Sequence, residues 1–133
     1  MIKRTLDDFQ GRWRLTRAIA HDTGQTARFT GLAAWQPHDG GLIYTEIGRL
    51  EIPGQPSMSA ERKYVWDRDL RVYFDDGRFF HQVPETGGPT EHWCDPDQYD
   101  VVYDFSQWPR WSCVWDVRGP RKSYQMRSDY EQL

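Results

Sequence analysis

Strict alternation of apolar and polar residues is the feature of this sequence that most constrains its fold. Successive side chains of a β-strand point to opposite faces, and the segment "WRLTRAI" (13–19) places on one face Trp13, Leu15, Arg17 and Ile19. Similar alternation recurs in about ten short segments, separated by turn sequences rich in Gly, Pro or Asp such as "HDTG" and "DDG". The only helix signal is "TLDDFQG" (5–11), where Thr5 can cap one turn and Gly11 can end it.

The short connections between these segments decide the topology. They leave no room for parallel crossovers, so we expect an antiparallel up-and-down meander, and closure into a barrel would remove its exposed edges. The sequence therefore predicts an all-β fold: an antiparallel up-and-down β-barrel of about ten strands with a short N-terminal helical turn. Residues 1–133 have the length of one domain, and we expect a single barrel domain.

Composition argues against several partners and locations. The net charge is −3 and no basic stripe occurs, which argues against nucleic acid. No apolar run approaches the ~18 residues of a membrane span, and the start "MIKRTLDDF" is polar. The two cysteines cannot form a disulfide framework. We therefore expect a cytoplasmic protein with reduced thiols.

The start of the first strand, "FQGRW", carries Gly11 and Trp13 after the short helix. This arrangement resembles the opening of calycin barrels: lipocalins, fatty-acid-binding proteins and nitrobindin-like proteins. In lipocalins the Trp plugs the closed end and an Arg of the last strand lies across it. The resemblance implies that role for Arg127 in "YQMRSDY", with Arg121 as the second candidate.

A more specific resemblance covers nearly the whole chain. The segments that carry it are "YTEIGRL", "AERKYVW", "FDDGRFFH", "HWCDPDQYDVVYDF" and "WPRWSCVWDVRGPRKSYQMRSDY". On these the chain is identified as a member of an uncharacterised lipocalin-like family, domain of unknown function 6314. The resemblance implies a calycin barrel and no particular reaction. Unlike fatty-acid-binding proteins, the chain has only "HDTG" where they carry a helical lid.

The predicted interior is unusually rich in ionisable residues. Trp13 is taken to point inward, as is the more aromatic face of each later strand, including Phe79 and His81. An unpaired buried charge costs several kcal/mol, so these groups need partners, water or a ligand. The predicted ligand-binding residues are Arg17, Tyr44, Glu46, Arg62, Tyr64, His81, His92, Cys94, Tyr99 and Tyr124.

Two interpretations of this interior stay open. In the first, Glu46 bridges Arg17 and Arg62, the tyrosine hydroxyls complete the network, and no ligand is needed. In the second, the aromatic walls and the excess of cations form a pocket for a small amphipathic or aromatic anion, such as a carboxylate. Arg62 and Tyr64 resemble the Arg-x-Tyr pair that binds the carboxylate in fatty-acid-binding proteins.

The stretch "EHWCDPDQYDVVYDF" (91–105) contains residues that also suggest chemistry. His81, His92 and Cys94 could hold a metal, Cys94 could be a nucleophile beside a histidine, and His81 or His92 could ligate haem as in nitrobindin-like barrels. The spacing is loose and "DPD" is a typical turn. The simplest interpretation is two strands and a turn, so no catalytic residue, metal or cofactor is assigned.

Two further functions remain as alternatives. The cavity could serve an acid/base isomerase or hydrolase that uses Glu46, His81 or His92. The tryptophans of "FSQWPRW" could form an interface, with a homodimer as one outcome, or could close the end of the barrel.

Overall fold

The computed structural model describes residues 2–133 and confirms the predicted fold class. Within these residues no helix combines the length and apolarity needed to cross a membrane. The strands pair in antiparallel fashion throughout. The elements are α1 (Leu6–Phe9), β1 (Gly11–His21), β2 (Thr26–His38), β3 (Gly41–Glu51), β4 (Met58–Trp66), β5 (Arg71–Phe74), β6 (Phe79–Gln82), β7 (Gly88–Cys94), β8 (Asp97–Asp104), β9 (Trp111–Arg118) and β10 (Ser123–Gln132).

The barrel is nearly closed, with one seam. Hydrogen-bonded neighbours follow the order β6-β5-β4-β3-β2-β1-β10-β9-β8-β7. In the described part of the chain no ladder joins β6 to β7, although these strands follow one another in sequence. Side chains bridge the seam instead, because the ring of His92 lies 5.9 Å from those of Phe79 and Phe80. The expected full closure is therefore replaced by a seam of aromatic contacts.

One end of the barrel is closed by an aromatic plug beneath α1. Phe9 is fully buried, and the indole nitrogen of Trp13 donates a 2.8 Å hydrogen bond to the carbonyl oxygen of Phe9. Such clusters bury large apolar areas in edge-to-face contacts. Of the two roles considered for "FSQWPRW", closure of the barrel end agrees with the packing of both of its tryptophans into this cluster. The plug comprises Phe9, Trp13, Trp35, Trp66, Phe105, Trp108 and Trp111.

The structure also corrects the arginine predicted to cross Trp13. Along β10 Met126 and Ser128 are buried, so Arg127 between them points outward and pairs with Asp129 at 3.0 Å. Another arginine reaches the plug: the guanidinium of Arg4 lies 4.5 Å from the centre of the Trp108 ring. This is a cation–π contact at the closed end.

A β-bulge changes the face of one predicted interior residue. The register of the β5–β6 pair shifts between Val72 and Tyr73, so the two residues Phe80 and His81 are both buried. Phe79, which was predicted to face inward, is 44% exposed. The prediction for Phe79 is wrong because one extra residue inverts the alternation.

A glycine pair shapes the wall beside the central polar residues. Gly31 of β2 lies directly opposite Gly48 of β3. A Cβ on Gly48 would come within 2.8 Å of the Phe29 ring, and one on Gly31 would overlap the carbonyl oxygen of Ile47. The missing side chains let the Phe29 ring lie inside the barrel, 5.4 Å from the guanidinium carbon of Arg17.

Candidate functional site

A small cavity lies in the barrel, on the side of the plug remote from α1. Its volume is about 30 Å³, whereas a buried water needs roughly 10–15 Å³ measured in the same way. The lining combines polar groups in the middle of the barrel with aromatic rings further from the plug. The interior as it stands therefore has room for one or two waters, and a larger ligand must displace side chains.

The middle of the barrel is held by a buried ion pair. Nη1 and Nη2 of Arg17 donate hydrogen bonds of 2.6 and 2.9 Å to the two carboxylate oxygens of Glu46. Nε of Arg17 donates to the hydroxyl of Ser128 at 2.7 Å. The hydroxyl of Tyr44 donates a hydrogen bond to the Glu46 carboxylate, and it lies at hydrogen-bond distance, 2.8 Å, from the hydroxyl of Tyr130. Arg17 and Glu46 thus form the inner part of the network in which Glu46 was expected to bridge Arg17 and Arg62.

The charges of this pair stabilise each other. Burial disfavours both charged forms, but hydrogen bonds and the charge of Glu46 raise the pKa of Arg17 above its usual range. Burial alone would raise the pKa of Glu46, but the hydrogen bond to Arg17 and the charge of Arg17 outweigh it and lower this pKa. Both groups are therefore ionised at neutral pH.

Arg62 is the second cation of the lining, and its environment is different. Its side chain is 45% exposed, and its Nε lies 4.0 Å from the nearest oxygen of Glu46. Moving along β4 from the plug residue Trp66, the inward positions are Tyr64 and then Arg62, so this cation lies where the cavity meets solvent. Burial raises the pKa of Tyr64, although the neighbouring Arg62 charge opposes the shift. Arg62 can therefore bind an anion more readily than Arg17 can.

His81 supplies a neutral polar group to the cavity. Its ring is only 2% exposed, and Nε2 lies 2.7 Å from the hydroxyl of Tyr103. Its Nδ1 is buried and has no hydrogen-bond partner. Burial, with a smaller effect from His92, lowers the pKa of His81 to about 3. His81 is therefore a neutral imidazole whose Nδ1 remains available for a hydrogen bond.

The other predicted ligand-binding residues lie around the rings beyond the cavity. His92 and Cys94 of β7 are half-buried, and Tyr99 is buried. The Nζ of Lys122 donates to the hydroxyl of Tyr99 at 3.0 Å. Tyr124 is half-buried, and burial raises its pKa against the opposing charges of Arg62 and Lys122. None of these four residues lines the small cavity itself.

The chemical alternatives find little support in this geometry. In residues 2–133 no group of three His, Cys, Asp or Glu side chains is arranged to hold a metal ion. Burial raises the pKa of the Cys113 thiol to about 12, which disfavours a thiolate at that cysteine. The nucleophile considered at Cys94, which is half-buried, stays a prediction. The cavity beside His81 is also far smaller than the roughly 300–1,000 Å³ typical of sites for drug-sized ligands, so a haem would have to displace many more side chains than a small ligand would.

Sequence reasoning gave no ligand role to several residues of the site. Ser128 and Tyr130 have the same strand parity as Tyr124 and Met126, so extending the alternation by two steps would have included them. Tyr103 lies on the more aromatic face of β8, which was taken to point inward, but nothing in the sequence indicates its contact with His81. Lys122 stands in a turn, and nothing in "GPRKSY" marks its contact with Tyr99.

Comparison with solved structures shows the same kind of fold. The S-type phycobiliprotein lyase CPES from Guillardia theta matches with a TM-score of 0.68 and 7% identity, over 96% of this chain and 90% of that one. A DUF3598-family protein of unknown function from Nostoc punctiforme PCC 73102 matches with a TM-score of 0.61 and 11% identity. That match covers 100% of this chain and 51% of the other. At these identities the likeness concerns the fold alone.

The sequence comparisons identify a family without a known activity. No curated protein matches the chain significantly. The model of the family of unknown function DUF6314 matches residues 9–132, from the last residue of α1 almost to the end of β10. The chain therefore belongs to the DUF6314 family.

Proposed function

We propose that the protein binds a small anionic ligand with an aromatic or apolar body, and that Arg62 contacts the anionic group beside Tyr64. The observation that carries this proposal is the charge of the cavity lining. Arg17 and Arg62 face one carboxylate, that of Glu46, while His81 is neutral, so one positive charge is in excess. Arg17 is bound on both sides of its guanidinium, which leaves Arg62 to meet a ligand.

The body of the ligand would lie among aromatic rings. Phe80 stacks on Phe74 at 4.6 Å and makes edge contacts with Tyr99 at 5.3 Å and Trp115 at 5.2 Å. Phe80 and Trp115 line the small cavity, and Phe80 also contacts His92 across the seam. A planar ligand that displaced Phe80 would therefore replace its aromatic contacts with similar ones.

The β5–β6 hairpin is the element whose movement would admit such a ligand. Three residue pairs join β5 to β4, and Phe80 on β6 contacts β7 only through side chains. Few hydrogen bonds must therefore break for the hairpin to shift far enough for the Phe80 ring to turn outward, while His81 keeps its hydrogen bond to Tyr103. This movement would supply the space that the cavity of about 30 Å³ lacks.

The test compares an anion with a neutral molecule of the same shape. Quenching of tryptophan fluorescence would measure the binding of 4-isopropylbenzoate and of 4-isopropylbenzyl alcohol. We expect the carboxylate to bind more tightly, by roughly 10-fold for one charged hydrogen bond at a partly exposed site. Arg62→Met, which keeps the aliphatic stem, should remove this preference.

The control is Arg12→Met, which removes an exposed arginine from the start of β1. It should leave both affinities unchanged. The proposal fails if 4-isopropylbenzoate does not bind at millimolar concentration, if both molecules bind equally, or if Arg62→Met keeps the preference.

A further inference from the structure

The tautomer of His81 follows from the hydrogen bonds around it. The hydroxyl of Tyr103 is buried, and in the described chain its hydrogen-bond partner is Nε2 of His81 at 2.7 Å. If Tyr103 donates, its proton and the Nε2 lone pair are both satisfied, and only the proton on Nδ1 lacks a partner. If Nε2–H donates instead, the Tyr103 proton and the Nδ1 lone pair are both left unsatisfied. Because each unsatisfied buried group costs about 1–3 kcal/mol, the tautomer with its proton on Nδ1 is preferred.

An unpaired donor therefore belongs to a residue that lines the cavity. The Nδ1 atom is buried without a partner, and the indole nitrogen of Trp111, another lining residue, is buried without one as well. A buried N–H group normally finds an acceptor in the protein, in water or in a ligand. The cavity of about 30 Å³ has room for one or two atoms of the size of a water oxygen, so an acceptor oxygen fits in it.

We propose that His81 is a specificity-determining residue that donates a hydrogen bond from Nδ1–H to an acceptor oxygen on the body of the ligand. This inference rests on the proposed binding of an anion at Arg62 and narrows the ligand class. The ligand is a planar carboxylate that carries a second, uncharged acceptor such as a carbonyl oxygen. Tyr103 is a positioning residue, because its hydroxyl holds the proton of His81 on Nδ1.

The binding test uses a pair of probes that differ in this acceptor. 4-Acetylbenzoate and 4-isopropylbenzoate share a carboxylate and nearly the same shape, but only the acetyl group has a carbonyl oxygen. We expect the wild-type protein to prefer 4-acetylbenzoate by about 10-fold, the effect of pairing a buried donor. His81→Phe should bind both probes equally, and Tyr103→Phe should reduce the preference. If both probes bind the wild type equally, Nδ1–H donates to a bound water and not to the ligand, and the inference is overturned.

A second measurement does not depend on the folding of any variant. Long-range ¹H–¹⁵N correlation spectra of the wild-type protein distinguish the two neutral tautomers of His81. We expect the proton on Nδ1 in the free protein, and a shift of the Nδ1 resonance with 4-acetylbenzoate but not with 4-isopropylbenzoate. The inference is overturned if the proton lies on Nε2, or if the Nδ1 resonance does not shift on addition of 4-acetylbenzoate.

The outcomes separate this inference from the proposed function. If Arg62→Met loses the preference for anions while His81→Phe keeps the preference for the acetyl probe, binding at Arg62 stands and the role of His81 is refuted. If neither carboxylate binds the wild type, both proposals fail together.

Discussion

Replacing Glu46 by Gln tests the buried ion pair in the middle of the barrel. The substitution keeps the size and shape of a side chain that is 2% exposed, but it removes the charge that neutralises Arg17, itself 7% exposed. Removing one partner of a buried pair costs about 3–5 kcal/mol, because the other charge stays buried. For a domain of this length each kcal/mol shifts the Tm by roughly 3–5 °C, so we expect a fall of about 10–25 °C.

An exposed ion pair supplies the matched control. Arg127 and Asp129 on the outer face of β10 form a 3.0 Å pair with side chains 58% and 50% exposed. Because exposed pairs contribute only about 0–1 kcal/mol, Asp129→Asn should lower the Tm by a few degrees at most. Urea denaturation followed by tryptophan fluorescence would give the free energy of unfolding of each variant, with thermal melts as a second measure.

A double substitution shows whether the loss comes from the unpaired charge. Arg17→Met combined with Glu46→Leu removes both charges, and replacement of a buried pair by apolar residues is often neutral or stabilising. The double variant should therefore be more stable than Glu46→Gln. The reasoning is refuted if Glu46→Gln costs no more than Asp129→Asn, or if the double variant is less stable than the single one.

Three further predictions concern protonation, packing and thiol reactivity. Folding lowers the pKa of His81 from its usual 6.5 to about 3. Between these pH values the unfolded state therefore binds one more proton than the folded state. The free energy of unfolding should then fall by up to ~1.4 kcal/mol per pH unit as the pH drops through this window. In urea titrations His81→Phe should make stability depend less steeply on pH in this window, to which His92 also contributes, whereas His38→Asn should leave the dependence as in the wild type. Gly31→Ala should lower the urea midpoint, since its Cβ would overlap the backbone of β3; an unchanged midpoint would contradict the close approach of β2 and β3. A maleimide should label Cys94 much faster than the buried Cys113, and mass spectrometry finding equal rates would contradict the burial of Cys113.

Strand parity could be predicted from the sequence wherever the alternation runs without interruption. Once Trp13 was placed inside, Leu15 and Arg17 followed at steps of two, and each is buried. Arg127 was assigned by resemblance to lipocalins, against the parity that places Met126 on the inner face. The β-bulge at Phe80 could not be predicted, because an apolar pair in a short strand gives no sign of which residue is the extra one.

Pairing across the barrel lies beyond what parity can predict. Arg17 and Arg62 are equally cationic and share the inner side of the sheet, so the alternation does not show which of them Glu46 holds more tightly. Their roles diverge because Glu46 and Ser128 both reach the guanidinium of Arg17, while Arg62 stands 4.0 Å from Glu46 and half in solvent. Such differences depend on distances between strands that are far apart in sequence.

In the proposed mode of binding, two different kinds of group would recognise the ligand. Glu46 neutralises the deeper cation, so a carboxylate that entered the middle of the barrel would have to compete with a bidentate, buried partner. Arg62, near solvent, can neutralise a ligand without breaking that pair. The deeper position at His81 offers an uncharged donor, which suits a carbonyl oxygen better than a second carboxylate that would need full desolvation. A ligand that matches both positions is therefore charged at one end only, with its anionic group outward and its neutral acceptor inward.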